Sequence, residues 1–464
     1  MPAEGRGLSS GRTSAAATAG RLAMSLIPPG KVGKLQAALH AKAKKAPAYR
    51  FYALYDKVHR PDVLLYAYQC CRSNDGSPGV DGQTFADIAK YGEEKWLGEL
   101  ADELRDKTYR PQPVRRVWIP KPDGKQRPLG IPTIRDRVAQ MAAVLILEPI
   151  FEVDLQPEQY AYRPDRSALD AVKAVHALVN TGHTEVVDAD LSGYFDSIPH
   201  SELMKSLARR ISDRHLLHLL KQWLEMAVEE EDERGRKHRT TRNKDEGKGT
   251  PQGAPISPLL ANLYMRRFIL GWKELGHERR LRASLVNYAD DFVICCRGSA
   301  QEALAVMRNM MSKLKLTVNE KKTRRCRLPE ETFDFLGYTI GRCYSQQTGR
   351  AYLGTKPSAK KVRRICDAIS DRTGRHTTLL PEGKIVTDLN RMLVGWANYF
   401  CLGPVSQAYR AIDRHVCRRL RQWLCAKHKV RGQGMARFPD VYLYQVLHLA
   451  RLGPRTRTFP WAKA

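Results

Sequence analysis

The run Leu285-Val286-Asn287-Tyr288-Ala289-Asp290-Asp291-Phe292-Val293-Ile294 sets two adjacent carboxylates between two apolar segments. Each segment has the length and composition of a short strand, so the run predicts a hairpin with Asp290 and Asp291 at its tip. Far upstream, Val186-Val187-Asp188-Ala189-Asp190 predicts a covered strand that ends in a third carboxylate. An Asp-Asp pair alone is a common surface turn, so the hypothesis depends on all three side chains meeting.

Three carboxylates on neighbouring strands would have a definite chemistry. Carboxylate oxygens suit Mg²⁺, and two such ions roughly 4 Å apart can align an attacking oxygen with a phosphate. We therefore predict that Asp190, Asp290 and Asp291 are catalytic residues and ligands of two Mg²⁺ ions. Asp188 is an alternative to Asp190, because strand alternation puts both side chains on the same face.

The charge of the chain indicates a polyanionic partner. Its 464 residues include 78 Lys and Arg against 49 Asp and Glu, which gives a formal net charge of +29 and a pI near 9.8. A protein this basic usually neutralises nucleic acid, although a merely solvated basic surface is the alternative. No apolar run is long enough for a membrane span, so we expect no membrane partner.

The cysteines and the N-terminus indicate the compartment. The ten cysteines include two adjacent pairs and no Cys-x-x-Cys spacing. Neither a zinc knuckle nor a disulfide framework is indicated, and reduced thiols in a bacterial cytoplasm fit best. Residues 1–33 are predicted to be a flexible basic segment, with an organelle-targeting peptide or an overextended start as alternatives.

The predicted elements divide the remaining chain into three regions. A helical extension is expected over 34–113, and a mixed helix and strand region over 114–350 opens with a hairpin at 114–132. Within it, the almost wholly polar stretch 229–248 is expected to be a solvated loop or mobile hairpin without chemistry. Residues 351–464 hold 22 Lys and Arg against 6 Asp and Glu, a net of +16 (22 − 6), and are predicted to be a second, helical domain.

A series of short runs in a fixed order carries a resemblance to a known family. From about Gly79 to its end the chain resembles group II intron-encoded reverse transcriptases, also called maturases. Each run is weak by itself, whereas their order is very specific. The runs are Gly79-Val80-Asp81-Gly82, Ile119-Pro120-Lys121 through Arg127-Pro128-Leu129-Gly130-Ile131-Pro132, Tyr162-Arg163-Pro164, Asp190 to Asp196, Thr250-Pro251-Gln252-Gly253, Tyr288 to Asp291, Asn319-Glu320-Lys321-Lys322-Thr323 and Phe335-Leu336-Gly337.

The resemblance implies a fold and an activity. The expected fold is α+β, a right-hand polymerase with fingers and an antiparallel palm sheet over 114–350, followed by an α-helical thumb or maturase (X) domain over 351–464. The expected reaction is DNA synthesis on an RNA template from a DNA primer and deoxynucleoside triphosphates. The family also implies binding of the parent intron RNA to assist splicing and mobility. Many members end in a zinc-containing endonuclease, whose Cys-x-x-Cys pairs are missing here, so we expect a lineage without that domain.

The resemblance also implies roles around the metal site. It places the metal ligand on Asp190 rather than Asp188, and adds the backbone carbonyl of Leu191. Lys322 matches a lysine that protonates the leaving pyrophosphate, a general-acid role for which the adjacent Lys321 is the alternative.

Four further residues are implied to bind the incoming nucleotide. Lys121 and Arg127 flank the turn of the 114–132 hairpin, where both could close over a triphosphate and offset its charge. Gln252 resembles a residue that contacts the nucleotide. Phe195 occupies the position of an aromatic ring that leaves no room for a 2′-hydroxyl.

The basic C-terminal region contains the family's thumb signature, residues 389–400. Farther along, Ile412, Val416, Leu420 and Trp423 share one helical face and are predicted to be core. Arg410, Arg414, Arg418 and Arg421 fall on another face, which is either solvated or in contact with RNA phosphates.

Two rival functions stay open at this point. The chain could be a non-enzymatic splicing cofactor with an idle palm, or a free-standing reverse transcriptase in repair or defence. A primer-extension assay distinguishes the splicing cofactor from an active polymerase. A foldable ribozyme in the nucleotide sequence around the coding region would distinguish an intron-encoded protein from the free-standing enzyme.

Overall fold

The computed structural model describes residues 27–120, 126–232, 234–345 and 348–457. Within these ranges the protein is a mixed structure of helices and largely antiparallel sheets. No helix in the described ranges is long and apolar enough to pass through a bilayer. All ten cysteines are free thiols, and all but Cys366 are buried.

Helices occur in all three regions of the described chain. They are α1 (Gly30–Lys45), α2 (Tyr55–Val58), α3 (Pro61–Ser73), α4 (Phe85–Tyr91), α5 (Glu93–Arg105), α6 (Ile134–Phe151), α7 (Ala168–Asn180), α8 (Tyr194–Ser197), α9 (His200–Ala208), α10 (Arg214–Leu224), α11 (Arg242–Asp245), α12 (Ser257–Glu274), α13 (His277–Leu281), α14 (Ala300–Lys313), α15 (Ala359–Arg372), α16 (Glu382–Tyr399) and α17 (Ser406–Lys427).

The strands form three separate sheets. In chain order they are β1 (Val114–Pro120), β2 (Gln126–Ile131), β3 (Glu185–Asp190), β4 (Val228–Glu231), β5 (Lys237–Thr240), β6 (Ala283–Tyr288), β7 (Asp291–Cys296), β8 (Arg324–Arg327), β9 (Phe333–Phe335), β10 (Tyr338–Tyr344) and β11 (Ala351–Pro357).

The N-terminal helices are part of the main body. Helices α1, α2 and α3 pack against α6, which begins where the Thr133 side chain accepts a hydrogen bond from the Asp136 N–H. Most residues of α6 are buried, and a helix that is apolar nearly all round needs neighbours on several sides. One apolar core accordingly runs from Val32 to Leu316, across the helical extension and the central region.

The first sheet contains more strands than the sequence predicts. The hairpin expected at 114–132 is confirmed as β1 paired with β2. The polar stretch expected to be a solvated loop or mobile hairpin is the β4–β5 hairpin, which extends this sheet in the order β2-β1-β4-β5. Buried Val114 and Val228 face each other where β1 and β4 run parallel. The charges of β4 are matched across the hairpin, since Glu229 contacts Lys237 and Arg239.

The second sheet has the order β6-β7-β3-β8 and is antiparallel throughout. Its strands β6, β7 and β3 are the ones that the sequence predicts around the candidate carboxylates. Val186, Val187 and Ala189 of β3 are buried, as are Val293 and Ile294 of β7. Burial of these apolar side chains fixes the register, because a slip of one residue would turn every side chain to the opposite face.

The third sheet joins the central region to the basic C-terminal region. β10 pairs with β9 on one side and with β11 on the other, so the boundary proposed at residue 350 falls inside a hairpin. Phe400 and Leu402, which follow α16, share an apolar cluster with Val286 and Val293 of the second sheet.

The C-terminal helices have their own core. Ile412, Val416, Leu420 and Trp423 of α17 are buried in it, as their helical spacing predicts. The same core includes side chains of α15 and α16 and of the chain that follows α17.

Candidate active site

Strand pairing brings chain-distant carboxylates together at one edge of the second sheet. Asp190 is the last residue of β3 and lies directly opposite Asp291, the first residue of β7. Residues paired in this way have Cα atoms roughly 4.5–5.5 Å apart. Asp290 occupies the two-residue turn between β6 and β7, next to Ala289, whose φ of +59° is in the left-handed region.

A buried amide that the sequence analysis did not single out shapes this turn. The side-chain N–H of Asn287 donates to the carbonyl of Ala289 at 2.9 Å and to that of Asp291 at 3.4 Å. Asn287 is 1% exposed. The available signal was a polar residue inside the apolar run 283–288, where an unpaired amide would be costly.

Burial and mutual repulsion act together on the two aspartates of the hairpin. Burial raises the pKa of Asp291 to about 7, and the neighbouring carboxylates of Asp290 and Asp190 act in the same direction. Burial also raises the pKa of Asp290, although Arg127 acts against it. Asp291 is solvent-exposed although protein atoms surround its carboxylate closely, which is the environment of an open cleft. Such a cluster favours a cation, because a cation allows all three carboxylates to ionise.

The segment 317–323 folds over the end of β3 and supplies polar groups to Asp190. Asn319 Nδ2 donates to Asp190 Oδ2 at 2.8 Å, and Lys322 Nζ lies 3.2 Å from the same oxygen. Lys321 is exposed. The structure therefore places Lys322 at the carboxylate cluster.

The carbonyl of Leu191 lies beside this segment. Leu191 forms a bridge with Val318, and the hydrogen bonds around that bridge use the Asp190 carbonyl and the Ser192 N–H. The bridge does not consume the Leu191 carbonyl that the resemblance assigns to the metal.

Asp188 lies on the same strand but has a different partner. Arg324 Nε lies 3.3 Å from Asp188 Oδ2, where β8 pairs with β3. Burial raises the pKa of Asp188, and Arg324 acts against it. Asp188 is therefore held by an arginine, whereas Asp190 faces the hairpin tip.

The chemistry of the donor set suits a hard cation, although the side chains do not form a finished metal site. Every candidate ligand is an oxygen, which is the preference of Mg²⁺. Across the described residues, no three side chains of His, Cys, Asp or Glu are arranged to hold a metal ion. In this arrangement Asp190 Oδ2 is occupied by Asn319 and Lys322.

Gln252 is pinned between the first sheet and α8. Its side-chain Nε2 donates to Asp196 Oδ2 at 3.1 Å, and its carbonyl accepts from the Gly130 N–H at 2.6 Å. The next residue, Gly253, has a φ of +113°, and a Cβ there would lie 2.5 Å from the Gly130 carbonyl. This close approach requires glycine.

Two more of the expected nucleotide-binding residues, Phe195 and Arg127, lie within the described chain. Phe195 is half-buried and packs edge-on against Tyr194, with ring centroids 5.8 Å apart. Thr250, beside Gln252, donates its N–H to the Phe195 carbonyl at 2.7 Å. Arg127 is exposed on β2 and acts electrostatically on Asp290. Lys121 lies outside the described residues.

The expected basic face of α17 is only partly as predicted. Arg410, Arg414 and Arg418 are exposed and follow each other at four-residue spacing. The prediction of an exposed Arg421 is wrong, because its side chain is buried and donates to the Phe438 carbonyl at 2.8 Å and to Asp440 Oδ1 at 2.5 Å. Helical geometry keeps position 421 on the face of Arg410 and Arg414. Its burial has another cause, because the chain that follows α17 folds over this position with Gly434, Phe438 and Asp440.

Comparison with known protein families agrees with this geometry. Residues 119–340 match the family described as reverse transcriptase (RNA-dependent DNA polymerase). Residues 362–438 match the maturase-specific domain of group II introns. The first match contains the whole carboxylate cleft, and the second contains most of α15 and all of α16 and α17.

Several curated proteins are similar to this chain. The chain is 32% identical over 369 residues to Protein YkfC of Escherichia coli, across 71% of this chain and 93% of that protein. It is 30% identical over 352 residues to the group II intron-encoded protein LtrA of Lactococcus lactis, across 62% of this chain and 57% of LtrA. A shorter match, 30% over 111 residues, covers 24% of this chain and 15% of nuclear intron maturase 2 of Arabidopsis thaliana.

The chain belongs to the family of group II intron-encoded reverse transcriptases and maturases. A reverse transcriptase domain implies the right-hand polymerase fold and, in this family, the use of divalent metal ions.

Proposed function

We propose that this protein is an RNA-directed DNA polymerase of a group II intron that also binds its intron RNA to assist splicing and mobility. The observation that carries the proposal is the meeting of Asp190 with the Asp290-Asp291 hairpin inside the region that matches reverse transcriptases. An idle palm would have no need to keep three repelling carboxylates together in a cleft.

Asp190, Asp290, Asp291 and the Leu191 carbonyl are the groups that would hold magnesium. When bound, two Mg²⁺ ions supply charge neutralisation and alignment for in-line phosphoryl transfer. The raised pKa of both hairpin aspartates supports this role, because the cluster is destabilised as three bare anions. Asn287 keeps the hairpin in shape by holding the Ala289 carbonyl.

On the nucleotide side we assign Arg127 and Lys121 to the triphosphate. Gln252 contacts the nucleotide from a loop that the Gly130 N–H and Asp196 hold in place. Phe195 forms the floor beneath the sugar and excludes a 2′-hydroxyl. The half-buried position of Phe195 supports this assignment, since part of the ring remains accessible.

We assign the general-acid role to Lys322. Its ammonium lies 3.2 Å from Asp190 Oδ2, whereas among the described residues Lys321 forms neither a hydrogen bond nor an ion pair with the cluster. From that position Lys322 delivers a proton to the pyrophosphate as it leaves.

The C-terminal helices form the proposed thumb and maturase domain, which we begin after β11. Arg410, Arg414 and Arg418 present a row of exposed charge on α17 that suits RNA phosphates. The relatives from bacteria and the ten free thiols support a location in a bacterial cytoplasm.

Primer extension tests the proposal. The wild-type protein is expected to extend a DNA primer on an RNA template with deoxynucleoside triphosphates and Mg²⁺. Asp290→Ala should abolish extension and leave the affinity for intron RNA nearly unchanged. Undiminished synthesis by this variant would remove the metal assignment. A wild-type protein that binds intron RNA but never extends a primer would favour the non-enzymatic splicing cofactor.

A further inference from the structure

Tyr162 has an unusual backbone conformation that its surroundings enforce. Its φ is +54°, in the left-handed region that residues with a side chain rarely adopt. On one side, the buried amide of Asn262 donates to the Ala161 carbonyl at 2.7 Å. On the other side, the buried guanidinium of Arg163 pairs with Glu152. Conformations of this kind persist where neighbouring contacts over-determine them, and they cluster at functional sites.

The loop that carries Tyr162 is joined to the catalytic hairpin. The Tyr160 N–H donates to the Asn287 carbonyl at 3.0 Å, and the Asn287 N–H donates to the Glu158 carbonyl at 2.8 Å. Asn287 is also the residue that shapes the turn through the Ala289 carbonyl. One buried asparagine thus fixes both the Tyr162 loop and the hairpin tip.

The Tyr162 phenol lies between groups of opposite charge. Burial raises the pKa of the phenol, and the Asp290 carboxylate raises it further, whereas Arg127 lowers it. The phenol is therefore a neutral donor at working pH. Within the described residues its hydroxyl has no recorded hydrogen-bond partner, whereas the neighbouring Tyr194 hydroxyl donates to the Ala261 carbonyl at 2.6 Å. Tyr162 is half-buried, so its ring remains partly accessible.

We propose that Tyr162 contacts the substrate, with its hydroxyl donating a hydrogen bond to a nucleotide oxygen in the cleft between Asp290 and Arg127. The inference rests on the proposed polymerase function and adds a residue to it. Phosphate and sugar oxygens are the acceptors that a polynucleotide substrate brings into such a cleft. They come either from the incoming nucleotide or from the end of the template–primer duplex.

The test compares Tyr162→Phe with Tyr160→Phe, each of which removes one hydroxyl and keeps the ring. Tyr160 is on the same loop, but its ring faces the Arg166 guanidinium at 5.2 Å. Single-turnover extension gives the apparent Kd for the deoxynucleotide, and fluorescence anisotropy gives the Kd for a template–primer duplex. Loss of one neutral hydrogen bond should weaken one of these constants about twofold to tenfold in Tyr162→Phe. Tyr160→Phe should match the wild type.

The outcomes separate the two sources and the two hypotheses. A weaker deoxynucleotide constant assigns the contact to the incoming nucleotide, and a weaker duplex constant assigns it to the primer terminus. If both constants equal those of a wild type that extends primers, the contact does not exist and the polymerase proposal survives. If the wild type does not extend primers, the polymerase proposal fails. In that case, equal duplex affinities of the wild type and Tyr162→Phe overturn the Tyr162 contact as well.

Discussion

The carboxylate cleft and the arginine row of α17 use charge in opposite ways. In the cleft, Asp190 and Asp291 come from distant parts of the chain, lie in directly opposed positions and repel each other. In the row, Arg410, Arg414 and Arg418 come from one helix, point to solvent and are separated by full turns. The cleft depends on exact placement, whereas the row depends on the sum of its charges.

This difference determines how much one substitution should cost. A group at a reacting centre acts through interactions that are strongest in the transition state, so its removal raises the barrier and lowers the rate by a large factor. A phosphate contact on an exposed helix is screened by salt and shared with its neighbours, so its loss is small. Substitutions of the cleft carboxylates should therefore leave intron RNA binding nearly intact, and substitutions in the row should leave the chemical step intact.

The largest effect is expected at Asp190. Asp190→Asn keeps the shape of the side chain and removes the charge of a proposed metal ligand. Several kcal/mol of charge stabilisation correspond to a loss of about 10³-fold or more in the extension rate. Asp188→Asn is the matched control on the same strand, because Asp188 pairs with Arg324. Equal losses in both variants would contradict the assignment of the metal ligand to Asp190 rather than to Asp188.

A smaller effect is expected at Lys322. Removing a general acid typically costs about 10²-fold or more, so Lys322→Ala should slow extension by that factor with little change in template–primer affinity. Lys321→Ala removes the same charge one residue away and should extend at nearly the wild-type rate. Single-turnover rates at several pH values check the assignment. A reaction that needs a general acid slows toward high pH, so the wild-type rate should fall there and the rate of Lys322→Ala should not. A larger defect in Lys321→Ala would transfer the role to Lys321.

The next effect is expected at Asn287, which touches no substrate in our proposal. Asn287→Ala removes the donor to the Ala289 carbonyl and leaves the hairpin tip less well held. Misplacement of a reacting group by about 1 Å can cost about 10²-fold, so we expect a loss of roughly tenfold to a hundredfold in the extension rate. Circular dichroism and RNA affinity provide the controls for folding. An unchanged rate would mean that the strands alone fix the turn.

The sequence predicts much of the carboxylate cleft, because the strand patterns there agree with the order of motifs in the family that the chain resembles. The apolar runs around Asp190 and Asp290 predict strands, and the structure pairs them as β3, β6 and β7. The role of Asn287 is not predictable from the sequence, because its side chain acts on carbonyls that come near it only in the folded hairpin. Tyr162 likewise has significance only once its loop lies beside β6.

The sequence is a weaker guide where polar residues form regular structure. The charged stretch 229–248 is predicted to be a solvated loop or mobile hairpin, and a hairpin is present, but its pairing with β1, which extends the first sheet, is not predicted. Composition does not reveal this pairing, because it depends on contacts across the hairpin such as those of Glu229 with Lys237 and Arg239. Helical periodicity is insufficient at Arg421 because the chain that follows α17 folds over this position, and Phe438 and Asp440 take up the guanidinium.

The smallest effect per residue is expected in the arginine row, and Arg421 supplies its control. The triple substitution of Arg410, Arg414 and Arg418 to Ala should weaken intron RNA binding and flatten its salt dependence by a slope of about 2, at roughly 0.7 per phosphate contact. Primer extension at saturating template should be unchanged. Arg421→Ala removes the same charge but also the donor to the Phe438 carbonyl, so it should lower the free energy of unfolding by about 1–3 kcal/mol and leave the salt slope unchanged. Filter binding across a salt series and denaturant unfolding measure the two quantities. If the triple variant keeps the wild-type slope, the exposed row is a solvated face, and the RNA contacts of this protein lie elsewhere.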